Sequence, residues 1–323
     1  MVTGGTGFLG SYIIQELVKK NYAVRAIRRN NTLPFWIPSN ILEKVEWVPG
    51  DILDVLSLED AMDGVDTVIH SAALVSFHKK DANKLYQMNV DGTANVVNTA
   101  LLKNVSRFVH ISSVAAIGRK AGGVTVDESA KWEESALHTH YAQSKFKAEL
   151  QVWRGIGEGL NAVILNPSTI LGFGDWHTSS CAIFKQIHDG FNWYTDGLNG
   201  FVDVQDVARA TITLMESTIQ AERFIINGDN WKFRQLQNEM AEGFGVKKPG
   251  YRANALLLGI AWRLEWVKSF ITGNKPLLTK ESARVARSET SFSNEKIKKA
   301  LPDFQFTPLA ITIKEACQKY KSH

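Results

Sequence analysis

The chain has 323 residues, enough to bury a sizeable core in one large domain or two intimately joined ones. Hydrophobic residues make up 44% and charged residues 22%, an ordinary globular balance, and the net charge is a mild +4. Basic residues are spread out apart from Arg28-Arg29, Lys79-Lys80, Lys247-Lys248 and the tail, with no basic patch interleaved with aromatics, which argues against nucleic-acid binding.

Three residues precede a glycine-rich turn, against about five or six in an average strand. Either the first strand is short or the protein begins upstream. Residues 8–20 put Leu9, Tyr12, Ile13 and Leu17 on one face and read as a helix. Residues 22–27 (YAVRAI) read as a strand, as do 45–48, 66–70, 107–111 and 161–165. Between them, 82–103 and 141–155 read as helices. Strand–helix alternation of this kind implies parallel strands joined by crossover helices, an α/β doubly wound sheet. From about Leu171 the rhythm changes. Residues 173–200 are rich in glycine and aromatics and read as loop with one short helix. Helices are expected at 205–217, 231–243, 253–271 and 309–319, and a strand at 223–227.

Two cysteines, Cys181 and Cys317, are far apart and make neither a disulfide framework nor a metal spacing. His138 and His140 read as loop residues, because no third ligand lies at useful spacing, so no metal is expected. The longest apolar stretch, 255–271, is broken by Arg263, Glu265 and Lys268 and is too charged to span a bilayer. No signal peptide is evident. The expectation is a cytoplasmic protein with no membrane partner, and a homodimer only as the commonest soluble oligomer.

The turn itself is Thr3-Gly4-Gly5-Thr6-Gly7-Phe8-Leu9-Gly10. Glycines at this spacing, where a strand feeds a helix, let the backbone turn tightly and approach a pyrophosphate. The helix N-terminus then offers N–H groups and a positive dipole end to the anion. At the end of the second strand, where an NAD site carries an acidic residue about twenty residues on, stand Arg28 and Arg29. Two guanidiniums suit a 2′-phosphate, so the expected cofactor is NADP, with NAD as the other candidate.

Tyr141 and Lys145 are four apart, on one face of their helix. A lysine cation near a phenol favours phenolate, and such a pair can exchange a proton with a substrate oxygen. Ser112 and Ser113 follow an apolar strand, at the strand end where ligands bind in such sheets.

Taken together, these residues resemble the extended short-chain dehydrogenase/reductase family, over essentially the whole chain. The glycine turn resembles its cofactor motif, with Gly4, Thr6, Gly7, Phe8, Leu9 and Gly10 implied to bind. Ser113, Tyr141 and Lys145 resemble its catalytic set, and the spacing to Gly118 selects Ser113 and leaves Ser112 to bond locally. Asp51 and Ile52, after Gly50, resemble the segment that meets the adenine. Ser71, Ala72 and Ala73, after His70, resemble the segment under the cofactor. Pro167, Ser168 and Thr169, after Asn166, resemble the loop beside nicotinamide. Asn89 resembles a structural or proton-relay residue. Phe201-Val202-Asp203 resembles the entry to a C-terminal lobe. The resemblance implies a Rossmann domain over 1–170, with 201–230 returning to it, and a mainly helical substrate lobe over 171–323. Within the family, the likeness is to members similar to dihydroflavonol 4-reductase and 3β-hydroxysteroid dehydrogenase. Ser113-Val114-Ala115 departs from the Thr-Asp-Glu run of sugar-nucleotide dehydratases, which argues against dehydration.

The implied function is an NADP-dependent oxidoreductase acting on a ketone or aldehyde, or the matching alcohol, of an apolar or aromatic small molecule. Val75, Phe77, Ser113, Phe173 and Trp176 are the candidate substrate contacts, in loops rich in aromatic residues. Ordinary core packing of a smaller lobe explains those aromatics equally well. A nucleotide-sugar epimerase retaining NAD is the alternative activity. An NADP-sensing binding protein ranks last, because such proteins tend to lose the tyrosine and lysine that stand here.

Overall fold

Short runs rich in valine, isoleucine and phenylalanine, separated by amphipathic helices, dictate a parallel sheet covered on both faces. The computed structural model describes residues 1–118, 125–132, 139–254 and 286–323. Its central sheet holds β1 (Val2–Thr3), β2 (Val24–Arg28), β3 (Val45–Pro49), β4 (Thr67–His70), β5 (Arg107–Ile111), β6 (Ala162–Pro167) and β7 (Glu222–Ile226). All pair in parallel, in the spatial order β7-β6-β5-β4-β1-β2-β3. The order reverses at β1, so the carboxyl ends of β1 and β4 flank a crevice, the place where ligands bind in such sheets.

Side-chain alternation divides the core between the two faces. Val109 and Ile111 of β5 join Ile13, Leu17, Val207 and Leu214 from the Phe8–Lys19 and Val204–Glu216 helices. Phe108 joins Val96, Val97 and Val152 from the Gly92–Leu102 and His140–Gly157 helices. Gly155 allows the latter two to approach closely, since a Cβ there would lie 2.6 Å from a Val97 methyl.

The helix expected over 82–103 is not uniform. Ala82–Tyr86 is α-helical, Gln87–Asp91 forms a π turn and Gly92–Leu102 resumes the α-helix. The wider turn accommodates Asn89, whose buried amide bonds the Leu74 backbone on both sides, N–H and C=O. Such π turns recur at functional sites.

The segment expected as loop, 173–200, holds more structure than its glycines suggest. A 3₁₀ turn at Ser179–Cys181 runs into the Ala182–His188 helix, and Trp193–Tyr194 pairs with Tyr251–Arg252. Leu198–Asp203 is a strand, parallel to Thr169–Leu171 and antiparallel to Asp229–Lys232. Its Gly200, which read as a loop signal, instead marks close packing: a Cβ there would strike Asn227, Phe292 and Ser168. Phe184, Leu236, Met240, Ile313 and Tyr320 form a further core beneath this sheet. Most of the helix expected over 253–271 falls outside the described residues.

Buried Arg107 ties β5 to the end of the Val204–Glu216 helix. It donates to Asn161 Oδ1 at 2.7 Å and to the carbonyls of Leu214 and Ile219 at 2.6 and 2.7 Å. Replacing it by alanine strands these acceptors. Arg107→Ala is expected to lower the unfolding free energy by about 3 kcal/mol in urea titration.

Candidate active site

β1 ends in a turn whose Gly4 has φ +71°, in the left-handed region that favours glycine. A Cβ on Gly4 would lie 2.7 Å from the Ala72 backbone nitrogen, so the turn rests directly on the chain leaving β4. A Cβ on Gly10 would collide with the Gly4 carbonyl oxygen, which already accepts the Gly7 N–H at 2.9 Å. The Phe8–Lys19 helix starts here. Gly7 is its N-cap, no side chain caps it, and its first turn has no acidic residue. Its N–H groups and positive dipole end are thereby left for an anion. Gly7 is exposed, Thr6 and Phe8 are half-buried, and Leu9 and Gly10 are buried.

The other strand ends collect around this turn. Arg28 closes β2 with its guanidinium 5.9 Å from the centre of the Trp47 ring, and Arg29 beside it is exposed. After β3, the Asp51 carboxylate accepts the Leu53 N–H at 3.0 Å. Ile52 is buried against Gly92, where a Cβ would lie 2.6 Å from its terminal methyl. After β4, Ser71 and Ala72 donate their amides to the Thr3 carbonyl and Thr3 Oγ1, at 3.3 and 3.2 Å, and Ala73 follows, exposed. After β6, the Ser168 amide donates to the Ile226 carbonyl at 3.0 Å, and Thr169 accepts from Asn199 Nδ2 at 2.8 Å. The Ser168 hydroxyl and the Asn166 side-chain oxygen are buried without a hydrogen-bond partner.

His70 holds the β1–β4 junction. Thr93 Oγ1 donates to the Asn89 carbonyl, so it accepts from His70 Nε2–H at 2.9 Å. Nδ1 then accepts from Thr3 Oγ1 at 2.7 Å, and Thr3 Oγ1 is left to accept the Ala72 amide. Burial, with the Lys145 cation adding to it, pushes the His70 imidazole down to about 3. His110 stacks on it at 5.3 Å and is held well below the usual histidine range by the same burial.

Ser113, Tyr141 and Lys145 come together at the ends of β5 and the His140–Gly157 helix. Ser113 caps the short Val114–Ile117 helix, its Oγ accepting the Ala115 N–H at 3.2 Å, and lies beside the Tyr141 phenol. Burial raises the Tyr141 phenol, and the Ser113 hydroxyl partly offsets this. The expectation that Lys145 depresses the phenol is corrected. Lys145 is itself buried, donates to the Ile111 carbonyl at 3.0 Å, and is pulled by desolvation to about 8, against an upward push from Glu149. Ser112 does not bond locally: its hydroxyl donates to Glu149, 37 residues on, at 2.7 Å.

Of the substrate-side residues, Phe77 meets Tyr141 edge-on with ring centres 5.9 Å apart, and Val75 is exposed on the same loop. Phe173 is buried and packs its ring against Phe35, Tyr320 and His323, while Trp176 stacks on Tyr320 at 5.2 Å. These two belong to the core formed around Phe184, Leu236 and Tyr320. His140 is the first residue of its helix, not a loop residue, and His138 lies outside the described residues.

Glu149, one turn beyond Lys145 on the same helix face, joins this site without belonging to the motif that marks Tyr141 and Lys145. The spacing was the available signal. His110 offered none, because a histidine inside an apolar strand reads as any core residue.

The sequence profile of the NAD dependent epimerase/dehydratase family matches residues 1–227. The chain belongs to this family. A Synechocystis sp. protein given the name dihydroflavonol 4-reductase is 30% identical over 306 residues, covering 91% of this chain and 87% of that protein. Cinnamoyl-CoA reductase 1 of Petunia hybrida is 30% identical over 239 residues, covering 69% and 71%. The crystal structure of gox2253 superposes with a TM-score of 0.83 at 29% identity, covering 100% of this chain and 97% of that one. The family is one of nicotinamide-dinucleotide enzymes, comprising reductases, epimerases and dehydratases, on a Rossmann-type sheet.

Because His70 is neutral when folded, the unfolded chain binds one more proton between the two imidazole values. Stability is therefore lost as pH falls from about 6.5 toward 3. His70→Gln is expected to lose roughly 1–2 kcal/mol less stability than the parent between pH 7 and pH 5, read from urea midpoints at each pH.

Proposed function

We propose that this chain is an NADP(H)-dependent oxidoreductase that reduces a ketone or aldehyde on an apolar or aromatic small molecule, or oxidises the matching alcohol. The observation that carries this reading is the placing of Ser113 beside the Tyr141 phenol, with buried Lys145 one helical turn further on and anchored to the Ile111 carbonyl. The similarity to proteins named dihydroflavonol 4-reductase and cinnamoyl-CoA reductase supports a carbonyl substrate.

The residues fit a dinucleotide. The cradle of Gly4 and Gly10 has no room for side chains, and the helix at Phe8 has no capping side chain or carboxylate at its start. Gly4, Thr6, Gly7, Phe8, Leu9 and Gly10 would hold the pyrophosphate. Asp51 and Ile52 would meet the adenine, and Ser71, Ala72 and Ala73 would lie beneath the cofactor. Pro167, Ser168 and Thr169 would meet the nicotinamide, and the unpartnered Ser168 hydroxyl is available to it. Arg28 and Arg29 supply the charge and planar donors that a 2′-phosphate needs. Bound nicotinamide supplies or takes up the hydride.

The chain's own groups manage the proton and the orientation. Ser113 Oγ hydrogen-bonds the substrate oxygen and fixes it beside the phenol. Tyr141, raised by burial, is protonated at neutral pH and can give its Oη proton to the developing alkoxide. Lys145 Nζ, anchored by one donor to Ile111, keeps its others for a ribose hydroxyl. Phe77 and Val75 flank the phenol with apolar surface suited to an aromatic or aliphatic substrate.

Tyr141→Phe is expected to lower kcat by about 10²–10⁴-fold while leaving NADPH affinity within twofold, measured by NADPH absorbance and fluorescence titration. Full turnover in that variant would end the mechanism. Arg28→Ala is expected to weaken NADPH binding by about tenfold or more and to leave NADH binding unchanged. Equal losses for both cofactors would remove the NADP assignment.

A further inference from the structure

Glu149 is 2% exposed, inside a protein that places most of its carboxylates in water. A carboxylate so placed costs several kcal/mol unless it is matched by donors. Four donors match it. Oε2 accepts from Ser112 Oγ and Asn166 Nδ2, both at 2.7 Å. Oε1 accepts from Arg223 Nη1 at 3.2 Å and Trp153 Nε1 at 3.3 Å. Each partner leads elsewhere. Asn166 Nδ2 also donates to the Ser113 carbonyl at 3.0 Å, so one amide links the carboxylate, the end of β5 and the end of β6. Arg223 also donates to the carbonyls of Glu128 and Ala130, at 2.6 and 3.0 Å, fixing the segment that leads to Trp132.

We propose that Glu149 is the positioning residue of this site, one buried carboxylate that fixes the Ser112-Ser113 strand end and the Asn166 loop and faces Lys145 with opposite charge. The inference rests on the cofactor reading above. Lys145 and Glu149 stand four apart on one helix, and no ion pair joins them among the described residues. Glu149 acts on Lys145 through its field.

The surrounding groups isolate that field. From β4 and β5, His70 and His110 face Lys145, and burial keeps both neutral above the usual histidine range. From the same helix Tyr141 faces it, raised by burial. From β7, the Arg223 guanidinium meets Oε1 of Glu149. Between about pH 6 and pH 10 the charge that changes in this group is therefore that of Lys145, whose desolvation brings it to about 8 while Glu149 pushes it up. Removing the carboxylate charge leaves desolvation unopposed, and Lys145 then loses its proton at lower pH.

The test is NADPH binding to the purified full chain by fluorescence titration from pH 6 to pH 10, which needs no turnover and no known substrate. The parent affinity is expected to fall with a midpoint near 8 as Lys145 loses its charge. In Glu149→Gln that midpoint is expected to move down by about one pH unit. In Lys145→Arg the decline is expected to vanish, because arginine stays charged throughout. An unmoved midpoint in Glu149→Gln, or a decline that persists in Lys145→Arg, overturns the inference. A purely structural role would weaken binding at every pH and leave the midpoint in place. Should Glu149→Gln not fold, Glu149→Asp carries the test: it keeps the charge and is expected to keep the midpoint, and a drop of a pH unit there overturns the role of charge. Absence of NADPH binding by the parent at every pH overturns the proposed function and this inference with it, whereas binding with an unmoved midpoint overturns this inference alone.

Discussion

The contact between the backbone of Gly4 and the backbone of Ala72 is the constraint on which the rest of the molecule turns. No side chain fits between them, and none fits between Gly10 and the Gly4 carbonyl. Three chain segments, the end of β1, the start of the Phe8–Lys19 helix and the exit of β4, therefore meet at van der Waals distance. A strand of two residues suffices for β1 because its position is fixed from both flanks, by pairing with β2 and with β4. The helix N-terminus is brought to the crevice with its amides uncapped, and every other candidate residue is placed relative to it.

Two buried polar networks then hold the strand ends that surround this contact. One runs from Thr3 through His70 to Thr93 and Asn89, and from Asn89 Nδ2 to Ser144 Oγ on the His140–Gly157 helix at 2.9 Å. The other runs from Ser112 through Glu149 to Asn166 and Arg223. Lys145 lies between them. Buried networks of this kind are costly when half satisfied and rigid when complete. Here they fix four separate strand ends without using the groups that face the crevice, so Ser113 and Tyr141 stay available to a ligand.

The sequence made much of this legible. Periodicity located the central strands to within two residues at either end, and the glycine spacing placed the crevice at β1. What it missed followed from local rules being overridden. Asn89 sits in a π turn because its amide is better satisfied by the Leu74 backbone than by solvent, a long-range bond that no helical pattern encodes. Gly200 read as loop, yet lies in a strand where close packing leaves no room for a side chain. Phe173 and Trp176 read as candidate substrate contacts because aromatics near a site and aromatics in a core have the same composition, and only packing separates them. Ser112 and Ser113 are adjacent in sequence, but strand alternation sends one to Glu149 and the other to Tyr141.

Burial has opposite consequences for the two titratable groups at the centre. It raises the Tyr141 phenol, since the anion is the desolvated form that suffers, and lowers Lys145, since there the cation suffers. An exposed Tyr-Lys pair would gain from mutual attraction in the phenolate–ammonium form. Here burial sets both groups, with Lys145 anchored to the Ile111 carbonyl and pushed up by Glu149, and the phenol lying beside Ser113. At neutral pH the pair thus rests with both protons in place. That is the state of a proton donor, the part that the proposed reduction of a carbonyl asks the phenol to play.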